Sequence, residues 1–498
     1  MVSSITSHLK KHFGLVFFLL FYFLYVFFTY KLVPITSDEE YRYKRGQEQL
    51  YYFQNSVPLQ NYFLPSIEPD TYYFYVTLLN LFNPKFYYEW FHLQNMLFAS
   101  IIFVVAYFLV YEYSKKTLIS LIGPILIFLT PSFSGHIGFN PIDMPFAVLF
   151  LLNLYLIYKF QNKGFSFTKI IILGFSFWLL LGIRPLGFQI FLLYIIFQLF
   201  ILPKDNKFQF LLTEAKNLIL IGFISIFLLT ISWPYLGINF FKNLPEILLT
   251  NASYNKWSNL IIYNGEFISS NNRPWEYLFT YMFLTTPLFI LFLSVFAIFK
   301  NLTVIKKFLI TAFLLNIFLY LLIQPVIYNG MRHFIFLIPL LVILGCFGLL
   351  DFLNSKINKN VKFIGYSILI VSFILTIYSI FKLFPLHYSY FNEISGGTKS
   401  NLEKYETDYW GGSYRKASEY IRDNIATDNP YDVKVYSCNV SYSMDYYSHK
   451  KFIMTINKDE ANYIVCTIPE DKRRNLSGEV IKTINLDNSP YINIRKVK

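Results

Sequence analysis

The chain has 498 residues, of which 55% are hydrophobic and 21% aromatic while only 15% are charged, against about 25% charged in an ordinary soluble domain. A mean hydropathy of +0.42 leaves more apolar surface than a soluble fold can hide, which excludes a soluble globular protein and points to a multi-pass membrane protein. The formal charge of +13 would suit a nucleic-acid binder, but the Lys residues fall in short loops between apolar runs, where they set topology, so nucleic acid is not an expected partner.

In chain order, His8, Lys10, Lys11 and His12 precede an apolar run over 13–30. The run is longer than a signal-peptide core and no small-residue cleavage site follows it, so an uncleaved first span is predicted over 13–32. A span needs roughly 20 apolar residues. Further candidates follow at 92–111, 117–131, 144–158, 169–183, 187–202, 217–233, 277–299, 307–324, 333–350 and 362–384, about eleven in all. The division at Arg184-Pro185 splits one long apolar stretch into two spans. Lys-bearing loops at 115–116, 159–169, 204–216, 300–307 and 356–362 all fall on the side of the N-terminus, which the positive-inside rule makes cytoplasmic. Loops 33–91, 132–143, 184–186, 234–276 and 325–332 then lie outside, with everything after Leu383. Loop 33–91 carries Arg42, Lys44 and Arg45 against this rule, but long loops cross largely regardless of charge.

Loop 33–91 is expected to hold short helices on the membrane surface. Its Tyr41, Tyr43, Tyr51, Tyr52, Tyr62, Tyr72, Tyr73 and Tyr75 suit an interface, where an amphipathic ring keeps its hydroxyl wet. Loop 234–276, with Trp233-Pro234 before it and Trp257 and Pro274-Trp275 within, is interfacial in type. From 385 the composition turns polar, and 385–498 reads as a small soluble α/β domain of about 110 residues, set against a membrane domain over 1–384. Ser413 is placed to cap a helix running to Ala426, and 433–437, 463–467, 480–485 and 492–497 read as strands. Of the three cysteines, Cys346 lies in a span. Cys438 and Cys466 lie in the tail, where one disulfide and two free thiols are both open. No metal-ligand spacing and no internal repeat is present.

Acidic residues at the non-cytoplasmic ends of spans are the candidates for chemistry, because a carboxylate at the bilayer edge is costly to hold there. Asp38, with Glu39 and Glu40, follows the first span. Such a carboxylate can take the proton of an incoming hydroxyl as a sugar carbon is attacked; the plainer role is the first turn of an interfacial helix, where acids favour the dipole. Asp143, between Asn140-Pro141 and Pro145, sits at a helix mouth on the same face. It can position an acceptor, a metal ion or a base, or serve only the helix start. Arg184, Arg273 and Arg332-His333 lie at outer span ends or in outer loops. One such Arg would be a snorkelling anchor; three on one face suit an anionic headgroup, for which the guanidinium is the natural fork. His136 stands beside the Asp143 segment and is more often a hydrogen-bonded structural group than a ligand.

Together these segments resemble the GT-C polytopic glycosyltransferases, in the branch of the protein O-mannosyltransferases and bacterial lipid A aminoarabinose transferases (glycosyltransferase families 39 and 83). Ser37-Asp38-Glu39 is similar to the acidic motif of the first outer loop. Phe139-Asn140-Pro141-Ile142-Asp143-Met144-Pro145-Phe146 looks like the second, often N-P-K-D-x-P-F; Ile142 stands where Lys is common, so no phosphate role passes to it. Arg273-Pro274-Trp275-Glu276-Tyr277-Leu278 with Thr285-Thr286-Pro287, and Tyr328-Asn329-Gly330-Met331-Arg332-His333-Phe334, are similar to two later motifs. The stretch from His387 to Asn392, Gly396-Gly397 and Asp408-Tyr409-Trp410-Gly411 recurs in the same branch. The resemblance covers residues 30–425.

The resemblance implies a GT-C membrane fold and an inverting transfer from a polyprenyl-phosphate sugar to a lipid, glycan or protein acceptor. Asp38 would be the base, Glu39 its support, and Asp143 would position acceptor or base. Arg184, Arg332, His333 and Arg273 would hold the lipid phosphate. His136, Asn140, Trp275 and Tyr277 would serve the acceptor or the structure. Some members use a divalent cation, Mg or Mn, and others none. A bacterial inner membrane is the expected setting, with the N-terminus cytoplasmic and the tail periplasmic. A flippase for a lipid-linked saccharide, a glycan ligase and a non-catalytic scaffold stay open as alternatives.

Overall fold

The structure is a computed structural model that describes residues 10–55, 88–161, 165–252, 260–486 and 488–497. The readings made for Tyr62, Tyr72, Tyr73, Tyr75 and Trp257 fall outside the described residues. The apolar runs form helices because, in lipid, a helix satisfies every backbone polar group within its own segment. By length and composition six of the described helices can cross a membrane, and seven if one bent pair counts as a single span. Four others, Phe13–Thr29, Ile119–Phe128, Phe167–Leu181 and Pro185–Phe200, are shorter apolar helices. The chain is thus a multi-pass integral membrane protein. Large apolar side chains face outward from the bundle, among them Phe223 at 68% and Phe363 at 71% exposure, as lipid-facing residues do.

The innermost helix is Leu337–Asn354, nearly all of whose residues are buried. It packs closely on Leu288–Ile298 because Gly348 has no side chain: a Cβ there would lie 1.9 Å from the Leu293 carbonyl oxygen. Small residues at a helix contact let backbones approach in this way. The predicted continuous span over 277–299 is instead two helices, Tyr277–Thr285 and Leu288–Ile298, bent by 112°. Pro287 forces Thr286 into extended backbone (φ −96°, ψ 135°), as proline does to the residue before it. The carbonyls left without partners are met by Asn392, whose side chain donates to Phe283 O (2.6 Å) and Thr286 O (3.1 Å) and whose backbone N–H donates to Leu284 O (2.7 Å).

Loop 33–91 contributes the helix Glu39–Asn55. Loop 234–276 holds a helix, Phe240–Ala252, and an antiparallel hairpin of β1 (Leu260–Tyr263) and β2 (Glu266–Ser269). The tail forms a five-stranded sheet in the order β4-β3-β5-β7-β6. Its strands are β3 (Lys434–Ser437), β4 (Ile453–Thr455), β5 (Tyr463–Thr467), β6 (Glu479–Leu486) and β7 (Ser489–Lys496). β3 runs parallel to β4 and β5, and β7 antiparallel to β5 and β6. Cys438 and Cys466 are joined in a disulfide. The helix Tyr414–Asn424 begins where expected, but Ser413 does not cap it: its hydroxyl is held by the Asp408 carboxylate. Leu386, Tyr388, Tyr390, Phe391, Leu402 and Trp410 pack into the core of the helix bundle, whereas Tyr414, Ala417, Ile421, Val433 and Val435 begin a separate core.

Candidate active site

The first acidic motif is held in place by its neighbours. Glu39 Oε1 accepts from the Thr36 backbone N–H (2.7 Å) and hydroxyl (3.0 Å), a capping-box arrangement at the helix start. Its other oxygen meets His92 Nε2 at 2.7 Å, and both side chains are fully buried. The tail fixes the same loop: Trp410 O accepts from Ser37 N–H (3.1 Å), and Ser443 and Tyr442 donate to Ile35 O and Thr36 O. Glu39 is therefore bound up in backbone and His92, while the neighbouring Asp38 carboxylate stays 26% exposed and lies 3.5 Å from Arg332 Nη2.

Arg332 is 7% exposed. Its guanidinium lies over two rings, 4.5 Å from Trp410 and 4.9 Å from Tyr328, both at cation–π distance. Burial alone would lower its pKa; Asp38 above all, then Tyr328 and Asp143, more than offset this, and the group is held above its ordinary value. The next residue, His333, is buried, and burial together with Arg184, Arg332, Arg273 and Arg42 drives its pKa well below normal. Its Nε2 accepts from Arg332 Nε–H at 3.3 Å.

The second acidic motif opens the helix Asp143–Gln161. The Asn140 side-chain oxygen accepts from Asp143 N–H (2.9 Å) and Ile142 N–H (3.3 Å). Its amide group donates to Asp143 Oδ2 (3.1 Å) and His136 Nδ1 (3.1 Å). Asp143 also pairs with Arg184, which follows the helix break at Gly182. His136 Nε2 lies 3.1 Å from the Tyr409 hydroxyl. Burial first, then the Arg332 charge and His387, lower the His136 pKa to about 3, so it is neutral.

Asp38, Asp143, Arg184, Arg332, His333, His136 and Asn140 thus come together at one end of the bundle. Arg273 lies close enough to act on His333, but its donors go to Ser270 O and Pro325 O, so it ties two loops together. Tyr277 is buried one layer away, with its hydroxyl donating to Glu406 (3.2 Å). Trp275 is 63% exposed and packs on Phe279, away from the cluster. Among the described residues no group of three or more His, Cys, Asp or Glu is placed to hold a metal ion.

Three residues that the sequence reading did not assign belong to the cluster. Arg42 is one helical turn beyond Asp38, its N–H donating to Asp38 O (3.0 Å); the i, i+4 spacing was the available signal. Trp410 stacks on Arg332. Glu406 comes from the tail, and its carboxylate accepts from Gly330 N–H (3.2 Å), in a turn where Asn329 and Gly330 both have positive φ. Burial raises the Glu406 pKa to about 7, against the pull of the Gly330 and Asn329 N–H groups, Tyr277 and Arg332.

No protein-family model matches the chain, and no curated protein matches it. Solved structures do. ArnT from Cupriavidus metallidurans bound to undecaprenyl phosphate aligns with a TM-score of 0.53 at 11% identity, covering 97% of this chain and 98% of that one. The same protein in the apo state gives 0.50 at 10% identity, over 96% and 98%. The archaeal oligosaccharyltransferase AglB from Archaeoglobus fulgidus, in complex with an inhibitory peptide and a dolichol-phosphate, gives 0.47 at 11% identity, over 88% and 66%. At such identities the likeness speaks for the fold alone, and over nearly its whole length this chain shares the fold of ArnT.

Proposed function

We propose that this protein transfers a sugar from a polyprenyl-phosphate donor to an acceptor hydroxyl, with inversion, on the non-cytoplasmic face of the membrane. The observation that carries the reading is the pairing of Asp38 with Arg332 and Asp143 with Arg184 at one bundle end, in a fold shared with a protein that binds undecaprenyl phosphate. Asp38 takes the acceptor proton as the acceptor oxygen forms its bond to the sugar C1. The C1–O bond to phosphate breaks, and the charge on the departing phosphate is met by Arg332 and Arg184, with Arg42 nearby. His333, kept neutral, lines this site without repelling the arginines. Asp143 orients Arg184 and, through Asn140, His136. Glu39 supports Asp38 by fixing the loop.

Asp38 and Asp143 each pair with an arginine, and in this reading those arginines meet the phosphate charge. The donor sugar, the acceptor and a bacterial inner-membrane setting are parts of the proposal that rest on the family resemblance.

The test is an assay of the purified protein in detergent with labelled polyprenyl-phosphate sugars, comparing wild type with Asp38→Asn. Donor consumption by the wild type that is lost in the folded variant supports the reading. Equal turnover removes Asp38 from the mechanism. Binding of donors without turnover by the wild type would favour lipid-saccharide transport instead.

A further inference from the structure

We infer that Tyr409 binds the transferred sugar, its hydroxyl donating to one sugar hydroxyl in the cavity beside Arg332. This rests on the transfer reading above. The cavity is lined by His136, Tyr281, Arg332, Tyr388, Glu406 and Tyr409, among others, and leaves space on the scale of one hydroxyl group or water.

The direction of the Tyr409 proton follows from its partners. The Asn140 oxygen is committed to two backbone N–H groups, so its NH2 end must face His136 Nδ1. Nδ1 is therefore an acceptor without a proton. A neutral imidazole then carries its proton on Nε2, which points at the Tyr409 hydroxyl 3.1 Å away. Tyr409 accepts that bond, which leaves its own O–H as a donor into the cavity. Glu406, on the same lining, supplies an acceptor. A sugar hydroxyl both donates and accepts, so one such group completes the pair. Arg332 connects this cavity to the proposed phosphate site: it pairs with Asp38 and also lines the cavity. Arg332 is thus common to the two, so a sugar attached to a phosphate held by Arg332 would lie beside the cavity. His136 acts through Tyr409 and is a positioning residue.

The experiment measures binding by the purified full chain of bare undecaprenyl phosphate and of a panel of undecaprenyl-phosphoryl hexoses and pentoses. Wild type is compared with Tyr409→Phe, which removes one oxygen and keeps the ring. The expected result is that a sugar-bearing carrier binds wild type more tightly than the bare carrier. Tyr409→Phe should keep bare-carrier affinity within about twofold and cut the sugar's advantage by about 5- to 150-fold, the range for leaving a buried partner unsatisfied. A sugar advantage that is the same in both proteins overturns the inference while leaving the transfer reading intact. Failure of the wild type to bind the bare carrier overturns the transfer reading, and this inference with it.

Discussion

Asp38→Asn should tighten binding of the carrier phosphate while abolishing transfer. The Asp38 carboxylate and a lipid phosphate compete for the same guanidinium. At 3.5 Å from Arg332, an effective dielectric of about 20 gives a Coulomb attraction of about 5 kcal/mol. Asp38 is 26% exposed, so solvent screening returns only part of this when the charge is removed, about 1–2 kcal/mol. That corresponds to roughly 5- to 30-fold tighter binding of undecaprenyl phosphate. The assay is a titration of the purified variant with undecaprenyl phosphate at constant ionic strength, run beside the donor-consumption assay. Tighter binding with lost turnover is the signature of a base that shares a cation with the leaving group. Weaker binding would refute the reasoning, because it would mean that Asp38 orients Arg332 for the phosphate rather than competing for it.

Glu39→Ala leaves the Thr36 N–H and buried His92 without their hydrogen-bond partner, so a stability loss of about 1–3 kcal/mol for each unsatisfied group should appear as a lowered thermal midpoint; a midpoint equal to wild type would show that Glu39 does not hold the loop. Burial pushes the Glu406 carboxyl from its ordinary 4.5 up to about 7, so the folded state binds the extra proton. Its stabilising contribution is full below pH 4.5 and is lost as pH rises to about 7, by up to about 3 kcal/mol. Melting curves from pH 4.5 to 7.5 should fall more steeply for wild type than for Glu406→Gln, and parallel curves would contradict the assignment. Replacing Cys438 and Cys466 by Ser opens a link between residues 28 apart in sequence, which should cost the tail about 3–4 kcal/mol; a tail equally resistant to proteolysis would count against this.

The helical character of the chain was legible because apolar runs of span length leave a chain in lipid few alternatives. Asp38, Asp143, Arg184 and Arg332 stood out in the sequence as charges at the span ends opposite the Lys-bearing loops, and the structure pairs them. Other features had signals that stronger patterns masked. Thr286-Pro287 marks a helix break, yet the apolar run continues through it. Asn264-Gly265 between Ile261-Ile262-Tyr263 and Glu266-Phe267-Ile268 is a hairpin signature, and both turn residues have the positive φ it demands, but it lies in a loop read as interfacial. Arg42 was read only as a topology conflict. Glu406 had no signal at all: one acid among many in a polar segment becomes distinctive only when folding buries it against Gly330.

The stacking of Trp410 on Arg332 and its bond to Ser37 also bear on biosynthesis. The ribosome makes every predicted span before it reaches Trp410. A nascent chain can therefore be fully threaded into the bilayer while its arginine still lacks one of its two aromatic partners and the Ser37 loop still lacks its anchor. Competence would arrive with the last quarter of translation, so a prematurely released chain would lodge in the membrane without a working catalytic centre.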